Sequence, residues 1–230
     1  MDWVRPHQVA KQERRLKEVV QAQYEQRLSR YAALLHGNEP PGLVAKLAIY
    51  SALLEQQATW GEQLWRIEPL LYPLIQSAEI DLHLATARLL ERPNRSDRSL
   101  FRFLEFCREN RTLITWLDGA PPADLLQAES DQLEAHRPTI DAIMGRRDKF
   151  FAHLDKKYFN DASSVYEDFP LPEADVLALV NTIIGVISTH QQLLSGQMNF
   201  HVAEFYHIAV DNMIRNLRSG RSVNFPGQLD

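Results

Sequence analysis

The chain has 230 residues, 45% hydrophobic and 24% charged, with a formal net charge of −5. That length and balance support a globular core in one domain, and exclude a disordered chain or a protein that coats nucleic acid through bulk positive charge. The single Cys107 rules out an internal disulfide and a multi-cysteine zinc site, and points to a reducing, cytoplasmic setting.

The opening residues Met1-Asp2-Trp3-Val4-Arg5-Pro6 hold no apolar run of the secretory type. Residues 6–36 are rich in Gln, Glu, Arg, Lys, Ala and Leu, all good helix formers. The apolar positions there, Val9, Leu16, Val19, Val20, Leu28, Tyr31 and Leu35, make only a thin, broken stripe. That fits a peripheral helix or a dimerisation arm, an extension over residues 1–42. Gly and Pro at 37–42 stop it, and residues 43–57 read as a second, short helix. Over 60–90, Pro69 and Pro73 divide a lead-in from a long helix whose Leu71, Leu74, Ile75, Ala78, Leu82, Ala85 and Leu89 recur at helical spacing. Residues 93–97 break the chain, with Ser96 or Asp97 placed to cap a helix over 100–107. A second break falls at 119–122.

Residues 124–158 are helical, with Pro138 marking a kink or a new start. A polar loop at 160–168 leads to Pro170, Pro172 and an apolar helix over 173–194. Its greasiest window, 176–188, is interrupted by Asn181 and Thr182 and is too short to span a bilayer, so it reads as a buried core helix with no membrane partner. A last helix covers 200–218, and residues 219–230 form a frayed tail. With no repeat and no alternating strand, the expected fold is an all-α, up-and-down bundle over 43–218 with an additional N-terminal helix.

The densest chemistry lies at 146–155, where Arg146, Arg147, Asp148, Lys149, His153 and Asp155 gather on a helix. Helical phase puts Arg147 on the apolar stripe of Ile140, Ile143, Met144, Phe151, Leu154 and Tyr158. Arg146, Lys149 and His153 share a face about a third of a turn away. Arg–His spacing alone carries little: Arg30 and His36 repeat it in an ordinary solvated helix, and about two such pairs are expected by chance. A guanidinium beside buried surface needs a partner. On a purely structural account, Arg147 bonds Asp81 or Glu79, and His153 is a surface histidine. Glu204 and His207 make a lone Glu-x-x-His with His201 nearby. Carboxylate-bridged metal bundles need two such copies, so no metal or cofactor is expected. Cys107 and the histidines offer no triad, and Trp60, Trp65 and Trp116 read as core.

The run Arg-Asp-Lys-Phe-Phe-Ala-His-Leu-Asp at 147–155 resembles the signature helix of the HEPN superfamily. The closer likeness is to its AbiU-type branch, associated with abortive infection in bacteria. A long helix ending in Ala87-Arg88-Leu89-Leu90 before the motif, and a Pro-Leu-Pro turn into an apolar helix after it, extend the likeness over about 45–217. The resemblance implies a helical bundle and a metal-independent endoribonuclease acting as a homodimer. Its catalytic residues would be Arg147, Asp148 and His153, with Arg146 as competitor for the arginine role. Arg146, Lys149 and Lys156 would contact RNA. The histidine would move a proton at a ribose 2′-OH or the leaving 5′-oxygen, and the arginine would stabilise the phosphorane-like transition state. An antitoxin or other defence protein is a further expected partner. The alternative expectation is a non-catalytic interaction or nucleotide-binding module of the same fold.

Overall fold

The computed structural model describes residues 6–37, 42–91, 98–152, 155–196 and 203–224. Eleven α-helices and one π-helical turn follow one another, with no strand among the described residues. They are α1 (Pro6–His36), α2 (Leu43–Trp60), α3 (Gln63–Ile67), α4 (Leu71–Leu89), α5 (Leu100–Glu109), α6 (Ala123–Ala135) and α7 (Arg137–Arg146). The π turn (Arg147–Phe151) comes next, then α8 (Lys156–Asn160), α9 (Ser164–Asp168), α10 (Glu173–Ser195) and α11 (Ala203–Asn224).

The prolines set most of the boundaries. Pro73 falls in the first turn of α4, where its missing N–H would have no helical partner anyway. Pro138 likewise sits in the first turn of α7, so it starts a new helix rather than kinking an old one. Pro122 and Pro172 occupy the N-cap positions of α6 and α10. The cap of α5 is Ser99, whose hydroxyl accepts from the Arg102 amide at 3.4 Å. Ser96 and Asp97, proposed for that role from sequence, lie outside the described residues.

The helices enclose one continuous apolar core. Helix α2 packs against α4 and α11, while α7 packs against α4, α6 and α10. Helix α10 buries Val176, Leu179, Val180, Ile183, Ile184, Val186 and Ile187. At 23 residues it is long and apolar enough to cross a membrane by length and composition, longer than the apolar window within it suggested. Those side chains are instead used in the bundle interior.

The second half of α1 belongs to that interior, against the expectation of a peripheral arm. Residues 11–19 are exposed, but from Val20 onward Tyr24, Leu28, Tyr31 and Leu35 are buried against α2 and α10. Tyr24, which the apolar stripe read from sequence omits, fills its gap, and the hydroxyls of Tyr24 and Tyr31 are hydrogen bonded. Tyr31 donates to the carbonyls of Arg98 and Ser99. Trp116 Nε1 donates to Tyr24 Oη at 2.8 Å, and the Tyr24 hydroxyl reaches His190 Nδ1 at 3.0 Å. Indole can only donate, so the Tyr24 oxygen accepts from Trp116, and on the far side of the His190 ring Nε2 lies 3.0 Å from Glu129 Oε2. A buried polar chain thus ties α1 to α10 and α6, and each bond in it compensates a desolvated group.

Candidate functional site

Helix α7 ends at the motif. Ile140, Ile143 and Met144 are buried, as their phase predicts. The chain then widens: the Ala152 amide bonds the Arg147 carbonyl five residues back at 2.8 Å, and the Asp155 amide bonds the Lys149 carbonyl at 3.0 Å. Phe150 and Phe151 lie half-buried across this turn, ring centroids 5.5 Å apart. Asp155 restarts the chain by capping α8, its carboxylate accepting from the Lys157 amide. A π turn holds more residues than an α turn, so the helical-wheel argument fails from Arg147 onward.

Arg146 closes α7 and Arg147 opens the π turn, and the two differ in environment. Arg146 is the buried one, at 5% exposure. Its Nε donates to the Phe169 carbonyl at 3.0 Å, its Nη1 lies 3.8 Å from Glu79 Oε1, and its guanidinium covers the Tyr166 ring. Gly145 makes this possible, because a Cβ there would stand 2.1 Å from the Phe169 ring. Arg146 is therefore a scaffold residue, enclosed and occupied, rather than one presented to RNA.

Arg147 is half-buried, and all three of its guanidinium nitrogens face carboxylates. Nη1 meets Glu91 Oε2 at 2.5 Å and Nη2 meets Glu91 Oε1 at 3.3 Å, a two-pronged contact. Nε donates to Asp148 Oδ1 at 2.7 Å, with Nη2 also 2.7 Å from the same oxygen. The bond to Glu91, more than any other influence, holds the Arg147 pKa above its ordinary value. The partner is thus neither Asp81, which pairs with Lys46, nor Glu79, which faces Arg146.

Around this pair the environment separates protonation states. Burial pushes the Glu79 carboxyl upward against the pull of Arg146. On the same helix one turn further, His83 is 3% exposed and held neutral, its pKa lowered to about 4 by burial and by the nearby Arg146 charge. Lys149 reaches Asp155 at 3.5 Å and is otherwise exposed, as is Lys156. His153 and Leu154 lie outside the described residues. Sequence reasoning missed Glu91, His83, Tyr166 and Phe169, since nothing local marks a residue whose partner is 56 positions away.

At the other end of the chain, His207 Nδ1 lies 3.4 Å from Glu55 across the α2–α11 contact. No cluster of three or more His, Cys, Asp or Glu suited to a metal occurs among the described residues, and His201 lies outside them. Cys107 is fully buried, which pushes its thiol pKa upward and keeps it unreactive.

The HEPN family model described as AbiU2 fits residues 46–212. No curated protein and no solved structure matches the chain.

Proposed function

The chain belongs to the AbiU2 family of HEPN domains, and from that premise we propose a metal-independent endoribonuclease of an abortive-infection system. The observation that carries the reading is the π turn at Arg147–Phe151. Wide turns inserted in α-helices occur frequently at functional sites, and this one re-aims the residues that match the family motif. In the proposed reaction His153 takes a proton from a ribose 2′-OH or gives one to the leaving 5′-oxygen. Arg147 stabilises charge on the phosphorane-like transition state, and Asp148 positions the guanidinium through its 2.7 Å bond. Lys149 and Lys156, both exposed, contact the RNA backbone.

Two copies of the chain would supply His153 to one cleft across a two-fold axis, since a C2 interface presents the same patch twice. Light scattering should therefore report a dimer at tens of micromolar, roughly where weak interfaces form. A monomer there removes the shared-cleft arrangement. An antitoxin or other defence protein is a further proposed partner.

A second reading, a non-catalytic interaction or nucleotide-binding module, is favoured by the carboxylates that surround Arg147. Incubating the purified protein with total RNA in EDTA separates the two. Fragments ending in 2′,3′-cyclic phosphate, absent with His153→Ala, support the nuclease. Intact RNA supports the module.

A further inference from the structure

We infer that the Glu91 carboxylate occupies the place of an RNA phosphate on Arg147, an internal competitor that substrate must displace. The inference rests on the reading of Arg147 as the residue that meets phosphate, and it deepens that reading by naming what guards the site.

Three features support it. The first is shape: Nη1 and Nη2 of Arg147 hold the two oxygens of Glu91 side by side. Carboxylate and phosphate oxygens fit the same guanidinium fork, so one can substitute for the other. The second is saturation. With Nε on Asp148 as well, an incoming phosphate would meet one cation already flanked by two carboxylates, and repulsion would oppose it while both remain.

The third is position. Asp148 is the chain neighbour of Arg147 and shares its π turn, so the two move together. Glu91 sits two residues past the end of α4, outside any helix, with a partly exposed side chain. Its displacement from Arg147 would not require a helical turn to unwind. The neighbouring arginine shows the contrast: the closest Arg146–Glu79 contact is 3.8 Å, its other bond is to a main-chain carbonyl, and it presents no fork.

Binding of inorganic phosphate, followed by calorimetric titration, tests the inference on the wild type, Glu91→Gln, and Glu91→Gln combined with Arg147→Ala. Glutamine keeps the size and one acceptor oxygen but removes the charge. Phosphate should bind Glu91→Gln at least about tenfold more tightly than the wild type, and the double variant should lose that gain. Equal or weaker binding by Glu91→Gln, or a gain that survives Arg147→Ala, overturns the inference. Should thermal melts show Glu91→Gln unfolded, Glu91→Asp, which keeps the charge but shortens the reach, is judged by the same sign of change.

RNA cleavage measured in parallel keeps the two proposals apart. Cleavage by the wild type without a phosphate gain in Glu91→Gln defeats the competitor and leaves the nuclease standing. A phosphate gain at Arg147 without RNA cleavage by any of these proteins defeats the nuclease and leaves the competitor standing.

Discussion

The Tyr24 hydroxyl lies 3.0 Å from His190 Nδ1, joining residues 166 positions apart at the centre of the bundle. Both side chains are fully buried, and each satisfies a group that water cannot reach. This bond adds to the apolar contact between helix α1 and α10.

Tyr24→Phe should therefore cost about 1–3 kcal/mol, because Trp116 Nε1 loses its acceptor and His190 Nδ1 its hydrogen-bond partner. Leu16→Ala, on the exposed first half of the same helix, should stay within about 0.5 kcal/mol. Urea melts of both variants read the difference. Equal small effects would mean that the Tyr24 hydroxyl adds nothing to stability.

His83 gives the fold a sensitivity to acid. Its pKa is held at about 4 in the folded protein and returns to about 6.5 on unfolding. Between those values the unfolded chain binds the additional proton. Stability from this group is thus complete above the unfolded value and declines as pH falls toward the folded one. The slope approaches about 1.4 kcal/mol per pH unit within the window. Glu79, raised by burial, acts in the opposite sense, since its folded form keeps a proton that the unfolded form releases. Comparing urea melts of the wild type and His83→Gln across that window isolates the histidine: the variant should show a shallower acid slope. Identical slopes would refute the assignment.

Gly145 is irreplaceable for a steric reason. Its Cβ position stands 2.1 Å from a Phe169 ring atom, so Gly145→Ala should cost about 1–3 kcal/mol through forced repacking. It should also loosen the Phe169 carbonyl from Arg146. Adding Phe169→Ala removes the clash, so the double variant should lose less stability than the sum of the two single changes. Plain additivity in denaturant melts would show that the ring is not what Gly145 accommodates.

The two arginines should separate in their effects. Arg146→Ala leaves Glu79 partly buried beside an emptied site and should cost at the lower end of about 3–5 kcal/mol, since Glu79 keeps some solvent. Arg147→Lys keeps a charge but cannot form the two-pronged contact. It should cost about 1–3 kcal/mol while reducing RNA cleavage on the order of a hundredfold. Full cleavage by Arg147→Lys would remove the arginine from the transition state.

Much of this architecture is legible in the sequence. The strict spacing of Leu71, Ile75 and Leu82 announces α4, and Pro138 and Pro172 mark helix starts that the structure keeps. The motif itself was visible as residues 146–155. What escaped detection has physical causes. Tyr24 looks like a gap in the apolar stripe until its hydroxyl partners are known, and those lie on distant segments. Helical phase does not show that Arg146, in register with the buried Thr139, Ala142 and Ile143, is more enclosed than Arg147, and it fails beyond the turn that opens at Arg147. Glu91 carries no local signal, since its role exists only after α4 and α7 come together.

The wide turn also gives the motif slack in its length. An α-helix advances about 100° per residue, so a deletion inside a regular helix would rotate everything beyond it onto another face. A π turn already holds a surplus residue, and losing one there lets the backbone relax to α geometry while Arg147 keeps its place at the end of α7. A single-residue change in length within the turn after Arg147 can thus be absorbed without disturbing the bundle that supports it.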